Sequence, residues 1–346
     1  MTSVVEGNGF NRSQPTLEEV AAMAGVSRAT VSRVVNGSPR VSERARSAVA
    51  RAVDQLGYVP NRAARSLVTR RTDSIALVVA EPETRLFSDP FFARTVRGIS
   101  QALTERNLQL VLLMAQTPEE HVRVGRYLTG GHVDGVLLIS LHGNDPLPMQ
   151  LHKAGVPVVL GGRPVPRMRI SCVDTDNAGG ARDAVAYLLQ RGRRRVATIT
   201  GPTDMGAGVD RLEGYKQALA EAGVAHDDDL IEGGDFSQES GERAMNSLLK
   251  RRPDLDAVFV ASDLMAAGAL RSLRDAQRAV PGDIAVVGFD DSAVARMTEP
   301  SLTTVRQSIE DLGREMANLL LRQIASPTPG VQKVVLGTEL VVRRSA

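Results

Sequence analysis

A chain of 346 residues is longer than one ordinary core organises, and 42% hydrophobic with 24% charged residues describes a soluble globular protein of two or three domains. The net charge of +2 is unevenly spread: residues 1–71 hold 11 Arg against 5 acidic side chains, a balance of +6 that leaves −4 for the rest, so a polyanion-binding head is expected at the front. A single cysteine, Cys172, excludes an intrachain disulfide, and the 5 histidines are too scattered for metal-ligand spacing. No stretch approaches the ~18 apolar residues of a membrane span, and the N-terminus lacks the basic start and apolar run of a secretion signal; a reducing cytoplasm fits.

In chain order, residues 1–14 are polar and read as a disordered tail. Thr16 then caps a helix in which Leu17, Val20, Ala21 and Ala24 recur at helical spacing, and Gly25 supplies a turn. Ser27 caps a second helix that places Val31, Val34 and Val35 on one side. Arg28, Ala29, Ser32, Arg33 and Asn36 occupy the opposite arc. The Asn-Gly-Ser-Pro run at 36–39 ends that helix. Ser42 caps a third, with Ala45, Ala48, Val49, Ala52, Val53 and Leu56 facing inward until Gly57 stops it. Three short helices with a tight turn between the first two make an all-α helix-turn-helix head over residues 15–59.

Pro60 ends an extended segment, and Asn61 can cap a helix over residues 62–67, within a hinge and linker spanning 60–72. Six residues fall far below the ~12–15 that a helix needs to persist alone in water, so this one folds only when something else stabilises it.

After Thr72 short apolar runs alternate with amphipathic helical stretches. Strands are expected over 75–80, 108–114, 136–139 and 156–160, then over 195–200, 230–232, 257–261 and 284–288, with helices between them, including 92–106 and 309–321. Two series of this kind predict an α/β core of parallel sheets covered by helices, in two lobes: one of about 73–173 and 307–336, the other of about 174–306 and 337–346. Strand carboxyl ends line the cleft of such a core. Five of the seven Phe (Phe87, Phe91, Phe92, Phe236 and Phe289) fall at or near those ends, with Asp89, Arg163, Arg211, Asp263 and Asp290 in comparable places. Aromatic faces against C–H surfaces, with Arg and Asp on a hydroxyl rim, is sugar-binding chemistry; Phe92, on its helix's apolar stripe, is the first to be assigned to the core.

Enzyme signatures are absent: there is no GxSxG, Walker A, HExxH or post-strand GxGxxG. The run from Asp174 to Gly179 begins like a calcium loop, but Ala178 takes the third ligand position and Val185 the closing one, so it reads as a strand end and helix cap. No catalytic residue, metal or cofactor is expected.

The runs Thr16-Leu17-Glu18-Glu19-Val20-Ala21, Ala24-Gly25-Val26-Ser27, Thr30-Val31-Ser32-Arg33-Val34-Val35-Asn36 and Gly57-Tyr58-Val59-Pro60-Asn61-Arg62-Ala63-Ala64 resemble the head of the lactose-repressor/purine-repressor (LacI/GalR) family, and the similarity continues through the core. The resemblance implies a two-lobed periplasmic-binding-protein-like core and a repressor that binds palindromic double-stranded DNA as a homodimer. Its second helix would enter the major groove with Arg28 and Arg33 at base edges. Ala29 offers only a methyl where the family often has a larger or polar residue. Thr16, Ser27, Ser32, Asn36 and Ser42 would bind phosphates. In the hinge, with Asn61 as its cap, Leu67 would wedge into the minor groove, Ala64 would let two such helices approach, and Arg62, Arg65, Arg70 and Arg71 would add phosphate contacts.

In the core, Arg211 and Asp290 match the family's cleft arginine and aspartate, and Ser262-Asp263 falls where relatives hold a polar ligand contact. Arg163, in Gly161-Gly162-Arg163, stands where lactose-type members place an acidic group. The segments at 89–92, 161–164 and 201–205 resemble actinobacterial cellobiose-type regulators, which implies a disaccharide or oligosaccharide effector. The C-terminal Val341-Val342-Arg343-Arg344-Ser345-Ala346 carries no leucine heptad, so a dimer rather than a tetramer is expected. Two other readings stay open at this point: a regulator with a purine corepressor, and a transport-type sugar-binding protein, which shares the core fold but has no use for a basic head.

Overall fold

The computed structural model describes residues 15–35, 38, 40–59, 71–165, 168–326 and 330–346. The chain divides into two compact units, Met1–Thr72 and Asp73–Ala346. In the first, α1 (Leu17–Ala24), α2 (Arg28–Val35) and α3 (Glu43–Leu56) enclose a small core of Val20, Val31, Val49 and Ala52. Gly25, at φ 65°, makes the turn between α1 and α2, a left-handed conformation that a side chain disfavours. Tyr58, read from sequence as part of an extended exit segment, also joins this core and is 8% exposed, its backbone N–H bonded to the Val53 carbonyl. The predicted tail at 1–14 and the 62–67 hinge helix lie outside the described residues.

The second unit contains two six-stranded sheets. The first comprises β1 (Ser74–Val79), β2 (Gln109–Met114), β3 (Gly135–Ile139), β4 (Val158–Gly161), β5 (Ser171–Thr175) and β11 (Lys333–Leu336), in the order β11-β5-β4-β3-β1-β2. The second comprises β6 (Val196–Thr200), β7 (Ile231–Gly233), β8 (Ala257–Val260), β9 (Ala285–Asp290), β10 (Thr303–Gln307) and β12 (Thr338–Val341), in the order β12-β10-β9-β8-β6-β7. Every pairing is parallel except β10 with β12. Strand β1, flanked by β2 and β3, is buried on both faces, with Leu77 opposite Leu112 on one side and Leu137 on the other, which is why it reads as an unbroken apolar run.

Helices cover both sheets: α4 (Glu83–Ser88), α5 (Pro90–Thr104), α6 (Pro118–Thr129) and α7 (Leu147–Lys153) in the first lobe, then α8 (Asn177–Gln190), α9 (Gly206–Glu221), α10 (Gln238–Arg251), α11 (Asp263–Asp275) and α12 (Ala293–Met297) in the second. After β10 the chain returns to the first lobe as α13 (Ile309–Ala325), which packs on α5 and over β3, β4 and β5. The chain therefore crosses between lobes after β5, after β10 and between β11 and β12. The crossings are tied together: Asp176 N–H donates to the Leu336 carbonyl at 2.8 Å, and the Thr175 hydroxyl donates to Gln307 Oε1 at 3.0 Å. Strands β5 and β10 fall outside the eight strands expected from apolar runs; their last residues, Asp174, Thr175 and Gln307, are polar.

Helices α5 and α13 meet at two glycines. A Cβ on Gly98 would lie 1.9 Å from the Glu310 carbonyl oxygen, and one on Gly313 would lie 2.3 Å from that of Thr95. Backbone cannot yield as a side-chain tip can, so Gly98→Ala is expected to destabilise the core by about 1–3 kcal/mol through overpacking. Thermal unfolding should show a lower midpoint; an unchanged midpoint would mean that this crossing is not held by close backbone contact.

Candidate functional site

The carboxyl ends of both sheets open onto one cavity of about 100 Å³ between the lobes. At its centre is Arg211, on the first turns of α9, 5% exposed. Its Nε donates to Asn177 Oδ1 at 2.8 Å and its Nη1 to the Ala261 carbonyl at 2.5 Å. Asp290 Oδ1 lies 3.7 Å from Nη1. The guanidinium stacks 3.7 Å above the Phe289 ring and lies 5.8 Å from that of Phe236. A cation this deep requires such partners, and burial still lowers its pKa below the usual arginine value, against the pull of Asp290 and other carboxylates.

Three carboxyls line the same cavity: Asp89, Asp174 and Asp290. Burial raises the pKa of each above the ordinary aspartate value, opposed at Asp89 and Asp174 by hydrogen bonds from the Phe91 and Thr175 N–H groups, and at Asp290 by the charge of Arg211. Gln307 Nε2 donates to Asp290 Oδ1 at 2.5 Å. Ser140, Phe236 and Asp290, all lining residues, have positive φ values of 57°, 69° and 117°. Backbone in this region costs a non-glycine residue about 1–3 kcal/mol and is retained where the surroundings hold it, often at sites of function.

Of the nine residues expected to contact an effector, seven line the cavity: Asp89, Phe91, Arg163, Arg211, Phe236, Ser262 and Asp290. The other two need correction. Asp263 is fully buried behind the wall, accepting from the Ser292 N–H at 2.7 Å and the Thr304 hydroxyl at 2.5 Å. Phe289 is a core residue of β9 that supports the Arg211 guanidinium from beneath. Phe289 follows from strand alternation, since its neighbour Asp290 turns toward the cavity, whereas Asp263 is the first residue of α11, next to the lining residue Ser262. Phe92 is 1% exposed and packs in the first-lobe core while reaching the cavity edge, whereas Phe87 is 73% exposed and outside it.

Arg163 lines the cavity, but its guanidinium is engaged bidentately by Asp210 of the second lobe, Nε at 3.0 Å and Nη2 at 2.5 Å. It thus ties the lobes together as well as facing the space between them. Asp176 caps α8 by accepting from the Gly179 N–H, so the calcium-like run is indeed a strand end and a cap. The polar lining residues Arg85, Asp174, Asn177 and Gln307 were not singled out from sequence. Asp174 and Asn177 were within that run, and their signal was position after a strand.

On the head, Arg28, Ala29 and Arg33 are exposed along α2, and Ser32 is half-buried. Arg28 Nε lies 3.0 Å from Glu18 Oε1 on α1, a pair exposed to water and therefore easily exchanged for another anion. Thr16, Ser27 and Ser42 each accept from a backbone N–H three residues on, which preforms the helix N-termini. Asn36, Asn61, Arg62, Ala64 and Leu67 lie outside the described residues.

Two family models match: bacterial regulatory proteins, lacI family, over residues 16–61, and the periplasmic binding protein-like domain over residues 185–346. The HTH-type transcriptional regulator CelR of Thermobifida fusca is 56% identical over 96% of this chain and 99% of its own. The chain is a LacI-family transcriptional regulator. The repressor CytR of Escherichia coli is 33% identical over 95% of this chain and 96% of its own. Among solved structures, a CelR–cellobiose complex is 54% identical with a TM-score of 0.78, covering 96% of this chain and 100% of that one. The lac repressor dimer bound to operator and an anti-inducer is 27% identical with a TM-score of 0.85, covering 96% and 99%. This LacI-family regulator is not an enzyme, and among its described residues no helix is long and apolar enough to cross a membrane and no cluster suits a metal ion.

The buried Arg211 and its carboxyl neighbours give a testable asymmetry. Arg211→Met strands the carboxyls without their cation and is expected to cost about 3–5 kcal/mol. Asp290→Asn keeps the oxygen that Gln307 bonds and replaces a carboxyl already pushed toward neutrality, so it should cost less than half as much. Because the folded-state pKa of Asp290 lies above its unfolded value, its contribution is complete in acid and fades as pH rises through the folded value; Asp290→Asn should remove that decline. Urea unfolding at several pH values measures both, and equal losses for the two variants would refute the arrangement.

Proposed function

We propose that the cavity binds a neutral sugar, cellobiose or another short oligosaccharide, and that its occupancy controls operator affinity, with sugar releasing the repressor from DNA. The observation that carries this reading is the donor and acceptor set: guanidinium groups from Arg85 and Arg211 and carboxyls from Asp89, Asp174 and Asp290 face one space beside Phe91 and Phe236. A hydroxyl donates and accepts at once, so a polyol satisfies both kinds of group, while the ring C–H faces suit the aromatic edges. The relative solved with cellobiose supports the same ligand class. In this reading residues 15–59 form the DNA-binding head, 60–72 the hinge and 73–346 the effector and dimerisation core. Ser262 adds a hydroxyl to the effector site, and Arg163 acts at its mouth.

On DNA, Arg28 and Arg33 read base edges, Ala29 sits against a base, and Thr16, Ser27, Ser32, Asn36 and Ser42 fix the register on phosphates. Asn61, Arg62, Ala64 and Leu67 form the segment that folds over the operator centre as a homodimer pairs its two hinges. Such a protein works beside the chromosome, in the cytoplasm and on the nucleoid.

Calorimetry with cellobiose against hypoxanthine, paired with a mobility-shift assay on the protein's own promoter fragment, tests the reading. Heat with cellobiose and release of the retarded fragment are expected; heat with hypoxanthine alone, or tighter retention on adding it, would replace the sugar by a purine corepressor. Leu67→Ala should weaken operator binding at least tenfold, given the few kcal/mol involved in a wedged base step, while leaving the cellobiose titration unchanged. Unaltered retardation by that variant would remove the wedge from the account.

A further inference from the structure

We infer that Glu81 is a positioning residue for effector binding, because from a buried site after β1 it holds two first-lobe side chains, Arg85 and His142, that both reach across the cleft to the second lobe. This inference rests on the sugar-effector reading and adds to it the means by which the lobes are held around the ligand. Glu81 is 3% exposed and is not part of the cavity wall. Its Oε1 accepts from Arg85 Nη1 at 2.7 Å and faces His142 Nε2 at 3.2 Å. The other ring nitrogen of His142 lies 3.1 Å from Asp204 Oδ2, in the loop after β6, and the neighbouring Gly143 N–H donates to the Asp204 carbonyl at 3.0 Å. The Arg85 guanidinium lies 5.3 Å from the centroid of Phe236, after β7. Among the described residues the buried Arg85 Nε has no hydrogen-bond partner, so Glu81 is the side chain that fixes this guanidinium.

One buried carboxylate therefore serves two cross-lobe arms, one of which lines the effector cavity. Removing its charge frees both arms and lowers the population of the closed arrangement. Apparent affinity falls in proportion to that population. The imidazole adds a signature that a packing role would not produce. It bridges two carboxylates, and both ring nitrogens can donate only when it is protonated. The bond to Glu81 raises its pKa above the ordinary histidine value against the effect of burial. Its contribution to closure is complete below the ordinary value of about 6.5 and is lost as pH rises through the raised value.

The charged groups facing His142 are Glu81 on the β1 loop and Asp204 on the β6 loop; Arg85 reaches it through Glu81, and the His121–Asp145 pair lines the recess beside it. The raised carboxyls Asp89, Asp174, Asp263 and Asp290 also titrate near the cavity and are present in every variant compared below; Asp89 is itself raised in part by the charge of Glu81, so its titration cancels in the comparison with His142→Gln and not in that with Glu81→Gln.

The test is a calorimetric titration of the full chain with cellobiose from about pH 6 to about pH 9, comparing wild type with Glu81→Gln and His142→Gln, alongside operator binding without sugar. Wild-type affinity should decline with rising pH. Glu81→Gln should bind about tenfold more weakly at the acid end and show a flatter profile, with the gap narrowing toward alkaline pH and sugar-free operator binding retained. His142→Gln should flatten the profile in the same way, and it carries the test should the buried substitution prevent folding. Wild-type affinity in Glu81→Gln, or an equal loss at every pH in both variants, overturns the inference while leaving the sugar reading in place. A wild-type protein that binds no cellobiose refutes the sugar reading first and this inference with it.

Discussion

A guanidinium sealed between two lobes must be given acceptors by whatever surrounds it, and Arg211 draws them from three separate stretches of chain: Asn177 just past the β5 crossing, the carbonyl of Ala261 after β8, and Asp290 at the end of β9. That requirement shapes the cavity. Strands that are apolar along their buried length end in polar residues at the same level, and two lining residues, Phe236 and Asp290, are held in backbone conformations that their side chains disfavour. The unfavourable terms are large one by one, and they are offset by the two sheets and their covering helices, whose buried apolar residues number many times more.

The same constraint makes the cleft responsive. The lobes are joined by three crossings tied to each other through the Thr175–Gln307 and Asp176–Leu336 hydrogen bonds, and Thr175 and Gln307 also line the cavity. A ligand that bonds those residues acts where the lobes are connected. Around the mouth, Arg163 with Asp210 and His142 with Asp204 join the lobes by charge rather than by apolar contact. Charge pairs at a partly wet surface are weak enough to exchange, so a small molecule can shift the balance between arrangements. By linkage, whatever factor a cavity ligand applies to operator affinity is applied by operator to the affinity for that ligand.

Much of the candidate site was legible because parallel α/β topology sends every strand's carboxyl end to the same place. Asp89, Arg211, Phe236, Ser262 and Asp290 could be listed from position after an apolar run, and the matched family motifs picked out Arg211 and Asp290 among them. The listing went astray by single residues. Asp263 and Phe289 adjoin true lining residues, and adjacency along the chain does not survive the alternation of a strand or the turn of a helix. Glu81, Arg85 and His142 carried no motif at all; a glutamate and a histidine in loops and an arginine on a short helix give no signal until the fold packs Glu81 under both of its partners.

For the head, the sequence alone was sufficient to determine the helices, their caps and the face of α2 that stays exposed, since capping, turn glycine and helical periodicity act within a few residues of one another. It determined as well that the core would be two parallel, helix-covered lobes, because buried strands must be apolar throughout and crossover helices amphipathic. Which post-strand side chains share the cavity, which are turned behind its wall, and which carboxylate anchors both cross-lobe arms were decided only by the tertiary structure. Most of those contacts join residues tens to more than a hundred positions apart, and only the packed sheets set the register and the distances between them.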